Sequence, residues 1–156
     1  ENGNDSISMT NVMPISDIEG KNLAGQGNVY DFTVKTNLSP NTTINYEISA
    51  EKNLTNQVML DNDSVRIYLQ KFGKSGYEDT PITKDPQPFT PLESTSFLGS
   101  KKGSMILYSG SFSNSSNQSQ EFTESFRLRF WVYENTIIDS VSRQFQIHLN
   151  VTAKVI

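Results

Sequence analysis

Apolar and polar residues change places at almost every step over long stretches of this chain, and few folds accept that pattern. From Val29 to Lys35, Tyr30, Phe32 and Val34 alternate with Asp31, Thr33 and Lys35. Ile44, Tyr46 and Ile48 alternate with Asn45, Glu47 and Ser49, and Val65, Ile67 and Leu69 with Arg66, Tyr68 and Gln70. Further on, Phe126, Leu128, Phe130 and Val132 alternate with Arg127, Arg129, Trp131 and Tyr133. The longest run is the last, Phe145, Ile147, Leu149, Val151, Ala153 and Val155 against Gln144 to Lys154. Each segment has one apolar and one wet face, as strands of an antiparallel sandwich do. Met105 to Phe112 reads as a less regular strand and Ile7 to Val12 as a short one.

The connectors complete the topology. Lys35 to Asn41 is compact enough for a hairpin between the Tyr30 and Ile44 strands. Residues 1–28 read as an N-terminal strand and linker, and 71–104 as a long Pro-rich loop carrying Pro81, Pro86, Pro88 and Pro91. Those prolines forbid a central strand but allow a short edge strand over Tyr77 to Ile82. Ser113 to Ser119 is a polar, low-complexity loop tip. The one helical candidate is Glu134 to Val141, with Ile137, Ile138 and Val141 packing underneath. The expectation is a single all-β domain over residues 1–156 with little helix. It is a two-sheet antiparallel sandwich of about seven to eight strands, jelly-roll-like because of the long crossing at 71–104.

Composition narrows the chemistry. Only 35% of the 156 residues are hydrophobic and 19% charged, while 15 Asn, 20 Ser and 13 Thr fill the balance. Nine Phe, six Tyr and one Trp argue against disorder. A net charge of −4 supplies no field for nucleic acid or an anionic membrane. No apolar run is long enough to span a bilayer, so membrane insertion is not expected of this stretch. The first residues have neither the basic nor the apolar region of a signal peptide, so the chain reads as a mature or trimmed fragment. The absence of cysteine removes disulfides and thiol chemistry. In an exported protein it points toward a Gram-positive bacterium or a phage rather than an animal. An extracellular or cell-surface location, no enzymatic activity and no cofactor are expected.

Candidate chemical groups are few. A Ser-His-Asp hydrolase would have to use His148, which parity puts on the wet face of the last strand. Asp17 with Glu19, and Asp61 with Asp63, have the alternation of a calcium loop but not the offsets of an EF-hand; solvated turn acids are the competing account. Asn-x-Ser/Thr occurs at Asn4, Asn37, Asn41, Asn53, Asn62, Asn114, Asn117 and Asn150. That excess fits either glycosylation or clustering of polar residues in turns. Arg127, Arg129, Trp131 and Tyr133 share a face that could anchor a glycan or a partner. Equally, that strand could be buried on both sides, with arginine stems lying over aromatic rings.

Two stretches carry a family resemblance. Ile7-Ser-Met-Thr-Asn-Val-Met-Pro-Ile-Ser-Asp-Ile-Glu-Gly20 with Val29-Tyr-Asp-Phe-Thr-Val34, and Phe126-Arg-Leu-Arg-Phe-Trp-Val132, resemble motifs of the TasA/camelysin-like secreted jelly-roll proteins of Firmicutes. The resemblance implies a cofactor-free subunit of biofilm-matrix or surface filaments, joined by an N-terminal strand that completes the sheet of the next copy. Family members have a hydrophobic segment and a first strand ahead of this point, so either that strand or Ile7 to Val12 would be the donor. Metalloprotease activity described for camelysin-type members does not transfer, because no His-Glu-x-x-His is present. Self-association is therefore expected at Ile7, Met9 and Val12, with Phe145, Ile147 and Leu149 of the last strand as acceptor. The rival is a carbohydrate- or receptor-binding module of a surface adhesin or phage virion, using Trp131, Tyr133, Tyr108 or the 71–104 loop.

Overall fold

The computed structural model describes residues 6–10, 13–25, 27–53, 59–137 and 143–156. Eight strands run through them: β1 (Ser6–Thr10), β2 (Tyr30–Leu38), β3 (Thr42–Lys52), β4 (Val65–Gly73), β5 (Gly76–Asp79), β6 (Met105–Asn114), β7 (Gln120–Val132) and β8 (Gln144–Val155). They form two antiparallel sheets, ordered β1-β8-β3-β6 and β2-β7-β4-β5. The pairs β1–β8, β2–β7, β3–β6 and β4–β5 nest inside one another, as in a long hairpin wrapped into two sheets. That nesting is the jelly roll. No helix among the described residues is long and apolar enough to cross a membrane.

The alternation reads out directly as the core. Ile44, Tyr46, Ile48 and Ala50 of β3, Val65, Ile67 and Leu69 of β4, Phe126, Leu128 and Val132 of β7, and Phe145 and Ile147 of β8 are all buried in one cluster. Each large aliphatic side chain there contributes about 1.5–3 kcal/mol of burial. An aromatic chain also crosses between the sheets: Phe32 lies 5.4 Å from Phe126, Phe126 5.1 Å from Tyr108, and Tyr46 5.0 Å from Phe112, centroid to centroid.

Three connections differ from expectation. Residues 39–41 are not a hairpin, because β2 and β3 belong to different sheets. They form an arch: Leu38 and Ile44 both enter the core, from opposite layers, and Asn41 takes a left-handed φ of 55° at the bend. Second, β4 continues to Gly73 and turns through Lys74 and Ser75 into β5, so the edge strand starts one residue early and stops at Asp79. The following chain still guards the edge of β4. Gln87 exchanges backbone hydrogen bonds with Ile67, and buried Thr80 and Thr83 bond to Leu69. The prolines are tolerated because this is an edge. Third, Glu134 and Asn135 form a turn and no helix starts by Ile137, which is 92% exposed; Ile138 and Val141 lie outside the described residues. Among the described residues the α-helix is α1 (Asp17–Lys21), opened by a capping box in which Ser16 Oγ accepts from the Glu19 amide and the Glu19 carboxylate accepts from the Ser16 amide.

Candidate functional site

The outer face of β7 is the first candidate, and α1 changes its character. Trp131 is only 1% exposed. Gly20 of α1 lies flat on its ring: a Cβ added there would stand 2.1 Å from Trp131 Cε2. Trp131 Nε1 donates to Asp17 Oδ1 at 3.1 Å, and Ile15 N donates to Val132 O at 3.0 Å. The two stretches that carry the family resemblance therefore pack against each other, Ser16-Asp-Ile-Glu-Gly20 sealing Trp131. Asp17 and Glu19 are taken up by this contact and by the helix cap.

The arginines on the same face are engaged as well. Arg127 donates twice to Asp31, at 2.8 and 2.9 Å, and stacks on Tyr77 at 4.0 Å. This hydrogen bonding holds the Asp31 carboxyl below the usual carboxylate range. Arg129 donates to Leu23 O and Gln70 Oε1, both at 2.8 Å; burial and then the neighbouring Arg127 lower its basicity. Arg66 stacks on Tyr133 at 3.8 Å. A shallow hollow of about 340 Å³ remains beside Leu23, Gly25, Val29, Asp31 and the two arginines. Arg127, Arg129, Trp131 and Tyr133 thus do not form one open platform: the indole is covered, and Tyr77 and Tyr133 each have an arginine on one face.

The second candidate is the β1–β8 edge. Register places Ile7 opposite Ile147 and Met9 opposite Phe145. Four of the expected self-association residues therefore meet within one chain, while Leu149 lies just past the end of β1. Val12 lies outside the described residues. β1 covers only residues 144–148, and among the described residues no strand flanks Leu149 to Val155 on that side. Val151, Ala153 and Val155 pair with Ile48, Tyr46 and Ile44, so they point to the inner side of the sheet. They nevertheless lie open, Val151 49% and Val155 71% exposed, with Ile156 74% exposed beside them.

Two polar clusters escaped the sequence reading. Between the sheets, Tyr46 Oη donates to Glu124, and Lys71 Nζ lies 3.3 Å from Glu124 Oε1 and 3.3 Å from Tyr108 Oη. Burial, then the Glu124 hydrogen bond, pushes the Tyr46 phenol far up, so it stays a protonated donor and not a nucleophile. On the outer side of the first sheet, Glu47 is buried beneath the loop after β5 and accepts from Ser96 Oγ at 2.7 Å and Ser100 Oγ at 2.6 Å. Glu47 takes two of the bonds that hold this loop to the strand face; Lys154 Nζ adds one to Phe97 O at 2.7 Å, and Ser100 Oγ lies 3.4 Å from Thr152 Oγ1. Glu47→Ala should therefore release residues 92–104. Amide exchange there is expected to accelerate at least tenfold, with little change in β2 or β7; unchanged protection would refute the latch.

His148 is half-buried on that same face, Nδ1 2.7 Å from Asn53 Oδ1 and Nε2 3.0 Å from Glu51 Oε2. Its ring partners are a carboxamide and a carboxylate, not the serine a hydrolase requires. Asp61 precedes a short 3-10 turn (Asn62–Ser64), and Asp63 is its middle residue. Among the described residues, no three His, Asp or Glu side chains converge as a metal site. Of the eight sequons, Asn114 is closed to modification in the folded chain, being 1% exposed and fully hydrogen-bonded. Comparison with protein-family models, with curated proteins and with solved structures found no match.

Proposed function

We propose that this chain is a structural protein of the cell surface or extracellular matrix that joins copies of itself by adding a strand to the β8 edge. The observation that carries the reading is that, among the described residues, β1 pairs with only five of the twelve residues of β8. Beyond that pairing no strand among the described residues lies beside β8 on that side, and its inward-facing Val151 and Val155 are 49% and 71% exposed. Such an edge is a template for another strand. The residues paired there, Ile7 and Met9 with Ile147 and Phe145, supply a short apolar segment whose exchange between copies would reproduce contacts already made within one. The resemblance to TasA/camelysin-like filament proteins supports the extracellular setting. For the glycan-binding alternative, Trp131 is covered, which leaves Tyr133, Tyr108 and the 71–104 loop as its anchors.

The test is solution mass over a concentration series with negative-stain imaging of the same samples. Concentration-dependent multimers or filaments are expected, weakened or abolished by deleting residues 1–12. Val151→Lys with Val155→Lys is the control that keeps β1. Both sites are exposed, so stability should change by about 0.5 kcal/mol or less, while charge on the inner side of the edge blocks association. A strict monomer at every concentration, or an unchanged oligomer distribution in both variants, would overturn strand addition by this segment.

A further inference from the structure

Lys52, the last residue of β3, donates a hydrogen bond to the carboxamide oxygen of Asn62, in the 3-10 turn before β4. Its Nζ lies 2.8 Å from Asn62 Oδ1 and 5.2 Å from the centroid of the buried Phe145 ring. Among the described residues no carboxylate comes within ion-pair distance of this ammonium, although Asp61, next to Asn62, acts on it electrostatically. The Asp61 carboxylate makes no capping hydrogen bond to the 3-10 turn, so it is not committed there. Asn62 is fixed in its turn: its carbonyl accepts from Phe89 N at 3.2 Å, and the Ser64 amide closes the turn onto Asp61 O at 3.0 Å. The amine, over an aromatic ring, is thus held against a carboxamide whose neighbour in the chain is an acid that makes no capping bond.

We propose that Lys52 and Asn62 form an intramolecular isopeptide bond. The Nζ lone pair attacks Cγ of Asn62, a C–N bond forms, the bond from Cγ to Nδ2 breaks, and ammonia leaves. The Asp61 carboxylate, beyond direct contact with Nζ, relays a proton through water from Nζ to the departing nitrogen, ending as it began. Amine plus amide gives amide plus ammonia, so no oxidant or co-reactant is required. Attack needs the neutral amine, and burial lowers the basicity of Lys52 in that direction, with Asp61 working against it. Fixed proximity supplies the remaining advantage, since both groups sit on anchored backbone. The product is a covalent loop across residues 52–62, closing the crossing from the first sheet to the second. In a chain without cysteine this would be a staple of the kind disulfides provide elsewhere.

Intact mass of the purified chain decides the matter. The wild type is expected about 17 Da below its sequence mass, the loss of one ammonia, with a branched tryptic peptide joining Lys52 to Asn62 and no cleavage after Lys52. Lys52→Arg and Asn62→Ala should each return to the full sequence mass, and Asp61→Asn should leave most of the chain unlinked. Full wild-type mass with free cleavage after Lys52, or an ammonia loss that maps elsewhere, would overturn the proposal. Complete linkage in Asp61→Asn would remove Asp61 from it.

Discussion

Alanine at position 20 is expected to destabilise the protein by about 1–3 kcal/mol, although α1 is a helix and alanine is the better helix former. The propensity gain is only about 0.5–1 kcal/mol. Against it stands the Trp131 ring, whose Cε2 and Cδ2 would lie 2.1 and 2.2 Å from the new methyl carbon. The ring cannot yield: it is buried, its edge meets Tyr68 at 6.4 Å, and its N–H is held by Asp17. The helix must therefore lift, exposing the indole. Trp131 is the only tryptophan in the chain, so its emission reports the event directly. A red shift with a lower urea midpoint is expected in Gly20→Ala. Trp131→Ala should cost more, about 3–5 kcal/mol, and Asp17→Ala less, about 1 kcal/mol. An unchanged midpoint and emission maximum in Gly20→Ala would show that α1 does not seal the ring.

Asn114 is the second site where one substitution should be severe. Its Nδ2 donates to Leu38 O at 3.0 Å, Ser39 O at 3.1 Å and Gln118 O at 2.8 Å, while Oδ1 accepts from the Ser116 amide at 3.0 Å and from Ser116 Oγ at 2.8 Å. One buried carboxamide thus ties together the two arches at this end of the sandwich, from β2 to β3 and from β6 to β7. Asn114→Ala strands several backbone groups at once, each costing about 1–3 kcal/mol if it stays dry. A total of roughly 3–5 kcal/mol is expected, in the range reserved for broken buried networks. Asn114→Asp separates shape from donation: the acceptor side survives, but an oxygen now faces three carbonyls. It should be no milder than alanine in urea unfolding at neutral pH. A loss below 1 kcal/mol in both variants would mean that water replaces the side chain and the arches hold themselves.

The two faces of each strand were legible to different degrees. Tyr46, Ile48, Leu69, Phe126 and Ile147 were recognisable as core because a strand has a side-chain period of two, and only one parity of each segment is apolar. The jelly-roll layering followed from counting such segments and noting the long crossing. The wet parity carried no comparable information. Glu47, Trp131 and Asn150 look alike in the sequence, as residues opposite a greasy face. Yet Glu47 is buried under a loop, Trp131 under a helix, and Asn150 stays half-open. What covers an outer face comes from remote chain, here Ser96 and Ser100 for Glu47 and Gly20 for Trp131. A signal for the second cover was present: Ser16-x-x-Glu19 is a capping box, enough to place a short helix ahead of β2.

By itself, then, the sequence determined the layers: which residues turn inward, that about seven to eight strands carry them, and that no thiol chemistry holds them together. These are local properties, set by backbone geometry and by the transfer of apolar surface out of water. The tertiary structure alone decided which strands are neighbours, turning the connection at residues 39–41 from a hairpin into an arch. It alone brought Asp17 and Gly20 to Trp131, and Glu124 with Lys71 to Tyr46 and Tyr108. It also left Val151 and Val155 uncovered at the end of β8. Such pairings depend on distances between residues far apart in the chain, and periodicity, which repeats along every strand alike, holds no record of them.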